Sequence, residues 1–141
     1  MSLISQFPSS LTYAIVAVVV VCLLPYVCAA AAKMSGGFNA KTDNADPRTF
    51  LANTKGMSAR FNYAQLNSFE SLPIFIAAVF MAMYCFVPQH IINAVAWLYV
   101  ALRVIYIAAY ALNMSAFRSV AWLLSLSCCL LLFYFSYILI R

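Results

Sequence analysis

Two ionisable residues stand inside otherwise apolar parts of this sequence. Glu70 begins the apolar part of a run that ends at Val87, and Arg103 lies about midway along the next run. An ionisable side chain inside a bilayer costs about 3 kcal/mol or more, so it normally faces a partner or a water-filled cavity. The chemistry of such residues is the binding of charged groups, because a guanidinium holds a carboxylate or another anion in forked geometry.

The neighbours of these two residues follow helical spacing. Positions i, i+3 and i+7 place side chains on one face of an α-helix. Two such polar stripes occur, the first formed by Arg60, Tyr63, Asn67 and Glu70 and the second by Arg103, Tyr106 and Tyr110. We expect the two stripes to lie on adjacent helices and to face each other.

Two interpretations of the stripes are open. Glu70 and Arg103 could satisfy one another as a structural pair, with Asn67 and the tyrosine hydroxyls bonding across helices. The other interpretation is an anionic ligand, because Arg60, Arg103 and Arg118 outnumber the carboxylates near them. We favour the ligand for the whole set, since a structural pair needs no further arginines.

Arg118 lies in the short loop before the last apolar run, where membrane topology alone would explain a basic residue. Ser119 follows it and is predicted to open the next helix. Unpaired N–H groups and the helix dipole favour a negative charge at such a position. A thiolate, a carboxylate or an oxyanion would suit it.

The composition determines which elements can position these residues. Of the 141 residues, 67% are hydrophobic and 8% are charged, and the mean hydropathy is +0.96. These values exclude a soluble globular fold and indicate one domain built mostly inside a bilayer. Eight Lys and Arg against three Asp and Glu give a net charge of +5, too few charges for a nucleic-acid-binding surface.

Four apolar runs are long enough to span a bilayer as helices. The predicted spans are residues 11–32, 58–87, 91–112 and 118–140, in a single domain that covers 1–141. Basic residues concentrate between the first two spans, in a loop over about residues 33–57, and Arg118 precedes the fourth span. The positive-inside rule therefore places both loops in the cytosol and both termini outside.

Metal and redox chemistry have no support in the sequence. The five cysteines lie within apolar runs, without the spacing of a metal site, and are expected to fill space as small hydrophobic residues. His90 lies at an outer turn and is interpreted as an interfacial residue. We therefore expect no metal.

The motifs together resemble those of the membrane-associated proteins in eicosanoid and glutathione metabolism, the MAPEG family, in a bacterial-type form. The resemblance rests on N-x-x-E at Asn67 and Glu70, on R-x-x-Y-x-x-x-Y from Arg103, and on R-S-V from Arg118. It implies an all-α integral membrane protein, a four-helix bundle that forms a homotrimer. It also implies glutathione as cosubstrate near the cytosolic face of each subunit interface, in a bacterial inner membrane.

Site residues follow from the resemblance. The glutathione-binding residues would be Arg60, Asn67, Glu70, Arg103, Tyr106 and Tyr110, and the catalytic residues would be Arg118 and Ser119. The chain departs from the family pattern at Tyr63, where many members have arginine, so that Arg60 would have to reach along the helix. Tyr106 does not distinguish between two branches of the family.

The resemblance implies a transferase or peroxidase that stabilises the glutathione thiolate. Its second substrate would be a lipophilic electrophile or hydroperoxide that arrives from the surrounding membrane lipids. A non-catalytic, lipid-binding scaffold is the alternative, because the Tyr63 departure would fit a damaged glutathione site. A transporter or channel using Glu70 and Arg103 as a relay is a third class, against which the short chain and unbroken spans argue.

Overall fold

The computed structural model describes residues 7–141, which form five α-helices and one short 3₁₀ turn. The helices are α1 (Leu11–Gly36), α2 (Pro47–Asn53), α3 (Gly56–Tyr84), α4 (Gln89–Ala111) and α5 (Ser115–Ile140). No β-strand occurs in this part of the chain. The predicted all-α fold is therefore confirmed.

Helices α1, α3, α4 and α5 are long and apolar enough to cross a membrane. They contain 23 to 29 residues, or about 35 to 44 Å at 1.5 Å per residue. A bilayer core of about 30 Å needs no more than that. The predicted bundle of four membrane helices is confirmed by these lengths and compositions.

Helices α3 and α4 form the centre of the bundle, and each contacts all three other long helices. The core between them is built from small residues and from a stacked aromatic pair, Phe75 and Tyr99, whose ring centroids lie 4.1 Å apart. Alanines such as Ala78 and Ala96 are fully buried. Small side chains let membrane helices approach closely, so packing can hold them together without a hydrophobic driving force.

The C-terminal end of α1 and the N-terminal end of α3 touch at Gly36. Ser58 donates a hydrogen bond from Oγ to the carbonyl oxygen of Ala32 at 2.6 Å. A Cβ added at Gly36 would lie 2.6 Å from Ser58 Oγ and 3.1 Å from the ring of Phe50. Glycine is therefore required here by close packing.

Residues 37–55 connect α1 to α3 and include the 3₁₀ turn Asp43–Ala45 and the short helix α2. Asp46 is the N-cap of α2, where its carboxylate accepts a hydrogen bond from the Thr49 backbone N–H at 3.1 Å. Hydrogen bonds from the Thr49 side chain and from its backbone N–H hold the pKa of the exposed Asp46 carboxyl below its ordinary value of 3.8. The cap and Pro47 at the first helical position explain why α2 begins there.

Helix α5 begins earlier than its predicted start. Asn113 adopts a left-handed conformation with φ 58°, and the helix begins at Ser115. The backbone N–H of Arg118 already donates to the carbonyl oxygen of Met114 at 3.0 Å. The prediction that Ser119 opens this helix is therefore wrong, and Ser119 lies beyond the free N–H groups of the first turn.

Candidate functional site

Helices α3, α4 and α5 converge on an open groove of about 450 Å³. The three motifs identified in the sequence each supply residues to it, although the motifs are far apart along the chain. The lining residues are Asn67 from α3, Tyr106 from α4, and Arg118, Ser119, Trp122 and Leu123 from α5. The groove therefore combines a cation and hydroxyls with an apolar wall.

A smaller cavity of about 150 Å³ adjoins the groove, and the two share Asn67 and Trp122. Glu70 and Arg103 both line this cavity, so that opposite charges border one space. Its full lining is Asn67, Glu70, Ser71, Ile74, Tyr99, Arg103, Trp122, Ser125, Leu126 and Cys129. The structure thus brings Asn67, Glu70, Arg103, Tyr106, Arg118 and Ser119 to two neighbouring spaces.

Arg103 is almost completely enclosed, with 1% of its surface exposed. Its Nη1 donates to Asn67 Oδ1 at 3.1 Å, and its Nη2 donates to Ser68 Oγ at 2.9 Å. The ring of Tyr106 covers the guanidinium, with its centroid 4.3 Å from the central carbon Cζ. All three contacts are neutral, so these groups solvate the cation without neutralising it.

Glu70 is not the counter-ion of Arg103 in the part of the chain that the structure describes. Its Oε2 accepts a hydrogen bond from Asn67 Nδ2 at 3.4 Å, and its side chain is exposed. The other two acidic residues, Asp43 and Asp46, lie in the α1–α3 connection. The interpretation of Glu70 and Arg103 as a direct structural pair is therefore not supported.

A chain of ring contacts links Arg103 to the groove. The rings of Tyr106 and Tyr110 meet edge to face with centroids 5.1 Å apart. The guanidinium of Arg118 lies over the Tyr110 ring, 4.6 Å from its centroid. Cation–π contacts of this kind hold an arginine in place while its N–H groups remain free at the rim. Tyr110 therefore supports Arg118, although it does not line the groove itself.

Ser119 is exposed beside Arg118 in the groove. Its Oγ donates to the carbonyl oxygen of Ser115 at 3.2 Å, the usual bond of a helical serine to the preceding turn. That bond is long for a hydroxyl donor. The hydroxyl can therefore exchange it for a bond to a ligand.

Two residues of the first stripe do not line the groove or the cavity. Arg60 donates from Nε to the carbonyl oxygen of Ala111 at 3.2 Å, and this contact satisfies the carboxyl end of α4. Tyr63 is 54% exposed. These two residues therefore do not contribute to the lining of either space.

Several lining residues were not singled out from the sequence. Ser71, Tyr99 and Ser125 are polar, and Cys129 was interpreted only as apolar filler. Ser68, which was also not singled out, bonds to Arg103 without lining either space. Ser68 lies on the buried face of α3 together with Ala64 and Phe75. A serine at the helical spacing of these apolar residues was the feature of the sequence that could have indicated a buried polar contact. The buried Tyr99 hydroxyl has no hydrogen-bond partner among residues 7–141.

The described residues offer no group of ligands for a metal ion. No cluster of three or more His, Cys, Asp or Glu side chains in that region could hold a metal ion. The charged and hydroxyl groups of the groove and cavity suit a small organic ligand that carries both positive and negative charges.

Comparison with known proteins identifies a family that the chain matches. The sequence model of the MAPEG family matches residues 13–138. That range includes every candidate site residue and all but the ends of the bundle. No curated protein matches the chain.

Proposed function

Because this chain belongs to the MAPEG family, we propose that it is a membrane-bound, glutathione-dependent transferase or peroxidase. Its substrates would be lipophilic electrophiles or hydroperoxides. The chain would act by stabilising the thiolate of bound glutathione, without a metal. Family membership and the four apolar helices support an integral membrane protein with a glutathione-related function.

One observation carries this proposal. Six candidate residues from three separate motifs line a groove and a cavity that share Asn67 and Trp122. Polar residues that merely joined membrane helices in pairs would not need to converge from three helices on connected spaces. A convergent set of polar groups beside apolar walls is the usual form of a small-molecule site.

The cavity would hold the charged end of glutathione. Glutathione carries an ammonium and two carboxylates, and Glu70 and Arg103 line the same cavity without pairing to each other. A carboxylate placed on Arg103 would give this cation the charged partner that its neutral surroundings lack. An ammonium beside Glu70 would complete the match.

Other members of the predicted set would complete the binding site. Tyr106 borders the groove and covers Arg103, and Tyr110 supports Arg118. Arg60 lines neither space, but its Nε bond to Ala111 leaves both terminal nitrogens of the guanidinium able to bind the peptide.

The groove would hold the sulfur. A free thiol has a pKa of about 8.5 and is mostly protonated at neutral pH. A guanidinium beside the sulfur favours the thiolate, so Arg118 would act by charge, and Ser119 would donate a hydrogen bond. Ser119 would have to release the Ser115 carbonyl to do so.

The thiolate would then react in one of two ways. In conjugation, the sulfur forms a bond to an electrophilic carbon while the leaving group departs with the electron pair. In peroxide reduction, the sulfur attacks one oxygen and the O–O bond breaks, which releases an alcohol after protonation. A second glutathione would convert the resulting sulfenic acid to glutathione disulfide and water.

The second substrate would enter from the bilayer. Trp122 and Leu123 form an apolar wall of the groove, and both are exposed on the outer surface of the bundle. We also propose a homotrimer in a bacterial inner membrane. The basic residues of the α1–α3 connection and Arg118 support a cytosolic active site with both termini outside.

A non-catalytic lipid-binding scaffold is the second candidate. It is favoured by Tyr63, which is exposed where many family members have arginine, and by the engagement of Arg60 with Ala111. A site with one fewer free cation would bind glutathione weakly. The two candidates therefore differ in an observable property: the enzyme would consume thiol when a substrate is supplied, and the scaffold would not.

Arg118→Ala tests the proposed activity. We expect thiol consumption with a chromogenic aryl halide to fall roughly a hundredfold or more, because the thiolate loses its charged partner. Arg48→Ala, an exposed arginine of α2, is the matched control and should leave turnover unchanged. Equal turnover in both variants would remove Arg118 from the mechanism. Absence of turnover in the intact wild type, across aryl halides and hydroperoxides, would favour the scaffold.

A further inference from the structure

Ser68 connects the backbone of α3 to the buried guanidinium of α4. It is 4% exposed, and its Oγ donates to the carbonyl oxygen of Ala64 at 2.7 Å. The same oxygen accepts the hydrogen bond from Arg103 Nη2 at 2.9 Å. Since a serine hydroxyl has one hydrogen and two lone pairs, the bond to Ala64 leaves Oγ able only to accept. The site at Ser68 is therefore selective for a donor such as a guanidinium.

Consecutive residues of α3 hold the two terminal nitrogens of Arg103. Asn67 accepts from Nη1 and Ser68 accepts from Nη2. Two bonds to different nitrogens fix the guanidinium plane, whereas one bond alone would permit rotation about it. The Tyr106 ring on one face limits the remaining movement.

We infer that Ser68 is a positioning residue for glutathione binding, which holds Arg103 so that its remaining N–H groups meet a carboxylate of the ligand. This inference rests on the proposed function and adds a residue to it. Ser68 does not line the groove or the cavity. Its effect on the ligand is transmitted through Arg103.

Ser68→Ala removes the acceptor of Arg103 Nη2 and leaves the backbone unchanged. We expect the dissociation constant for glutathione to rise roughly tenfold or more, because a buried hydrogen bond to a charged group is lost and the guanidinium can turn. In turnover, KM for glutathione should rise while kcat at saturating glutathione is kept, since Arg118 and Ser119 are untouched.

Ser136→Ala is the matched control. Ser136 is also buried, at 2% exposure, and its Oγ donates to the carbonyl oxygen of Leu132 at 2.8 Å, four residues earlier. Its hydroxyl forms no hydrogen bond with an arginine among residues 7–141. The comparison of the two variants therefore isolates the Arg103 contact from the general effect of deleting a buried serine hydroxyl.

A second measurement does not depend on glutathione. Nitrogen-detected NMR of the arginine side chains in detergent-solubilised protein reports rotation of the terminal nitrogens. We expect the Arg103 signals to show restricted rotation in the wild type and in Ser136→Ala, and free rotation of one terminal group in Ser68→Ala.

The outcomes are distinct. A rise in the dissociation constant in Ser68→Ala and not in Ser136→Ala supports the inference. Equal dissociation constants in the two variants, or unrestricted Arg103 rotation in the wild type, overturn it. If the wild type does not bind glutathione, the proposed function fails by itself, and the NMR comparison still decides whether Ser68 holds Arg103.

Discussion

Asn67 and Arg103 meet across the interface of α3 and α4, where Asn67 Oδ1 accepts a hydrogen bond from Arg103 Nη1 at 3.1 Å. The other end of the same amide donates to Glu70 Oε2 at 3.4 Å. A neutral amide therefore stands between the two charged residues of the cavity. Within residues 7–141 the two charges are therefore not paired with each other, and the proposed ligand would supply a charged partner for each.

Asn67→Asp should weaken ligand binding. The isosteric carboxylate would give Arg103 a charged partner, and it would replace the amide group that donates to Glu70. Affinity for glutathione should fall at least about tenfold, because the ligand carboxylate then competes with a carboxylate of the protein. Asn44→Asp in the exposed 3₁₀ turn is the control for added charge. Unchanged affinity in Asn67→Asp would contradict the account of an uncompensated Arg103.

Glutathione binding should change the fluorescence of Trp122. This side chain lines both the groove and the cavity, whereas Trp97 packs against the apolar core of the bundle. We expect titration with reduced glutathione to alter the emission of the wild type and of Trp97→Phe, but not of Trp122→Phe. A signal that persists in Trp122→Phe would place the ligand elsewhere.

Gly36→Ala should destabilise the bundle. The added methyl group would overlap Ser58 Oγ at 2.6 Å, and overpacking of this kind costs about 1 to 3 kcal/mol. Thermal unfolding in detergent measures the loss. In the double variant with Ser58→Ala, the nearest atom is gone. The loss of stability in the double variant should therefore be smaller than the sum of the losses in the two single variants. Strict additivity would show that Gly36 and Ser58 do not interact.

The α2 cap should weaken in acid. The pKa of Asp46 is lower in the folded chain than its ordinary value of 3.8, so the ionised carboxylate stabilises the folded connection above that value. This contribution is lost as the pH falls through the lowered pKa. The protection of the Thr49 amide against hydrogen exchange, measured relative to the intrinsic exchange rate at each pH, should fall over the same pH range. Asp46→Asn keeps an acceptor without the charge, so it should remove this pH dependence, and persistence of the dependence would contradict the assignment.

The spans and the polar stripes were accessible from the sequence because both depend on local properties. Hydropathy gives the apolar runs, and helical spacing places Asn67 with Glu70 and Arg103 with Tyr106. The family match over residues 13–138 agrees with the resemblance that those motifs indicated. Fold class could therefore be predicted before any contact was known.

The contacts of Arg103 could not be predicted in the same way. Its partners depend on the register of α3 against α4, which brings Asn67 and Ser68 to its terminal nitrogens instead of Glu70. The start of α5 was mispredicted for a different reason. Polar residues near Arg118 resembled a loop, whereas the left-handed residue that ends the connection is Asn113.

Equilibrium binding of reduced glutathione to the detergent-purified protein tests the central claim most directly, because it does not require the electrophile to be known. Glu70→Gln should weaken binding, since the ligand ammonium loses its carboxylate. Asp43→Asn loses the same charge in the α1–α3 connection, outside the groove and the cavity, and serves as the control. We predict micromolar to millimolar binding in the wild type and in Asp43→Asn that is lost or strongly reduced in Glu70→Gln. Absence of binding to the intact wild-type protein would contradict the glutathione mechanism.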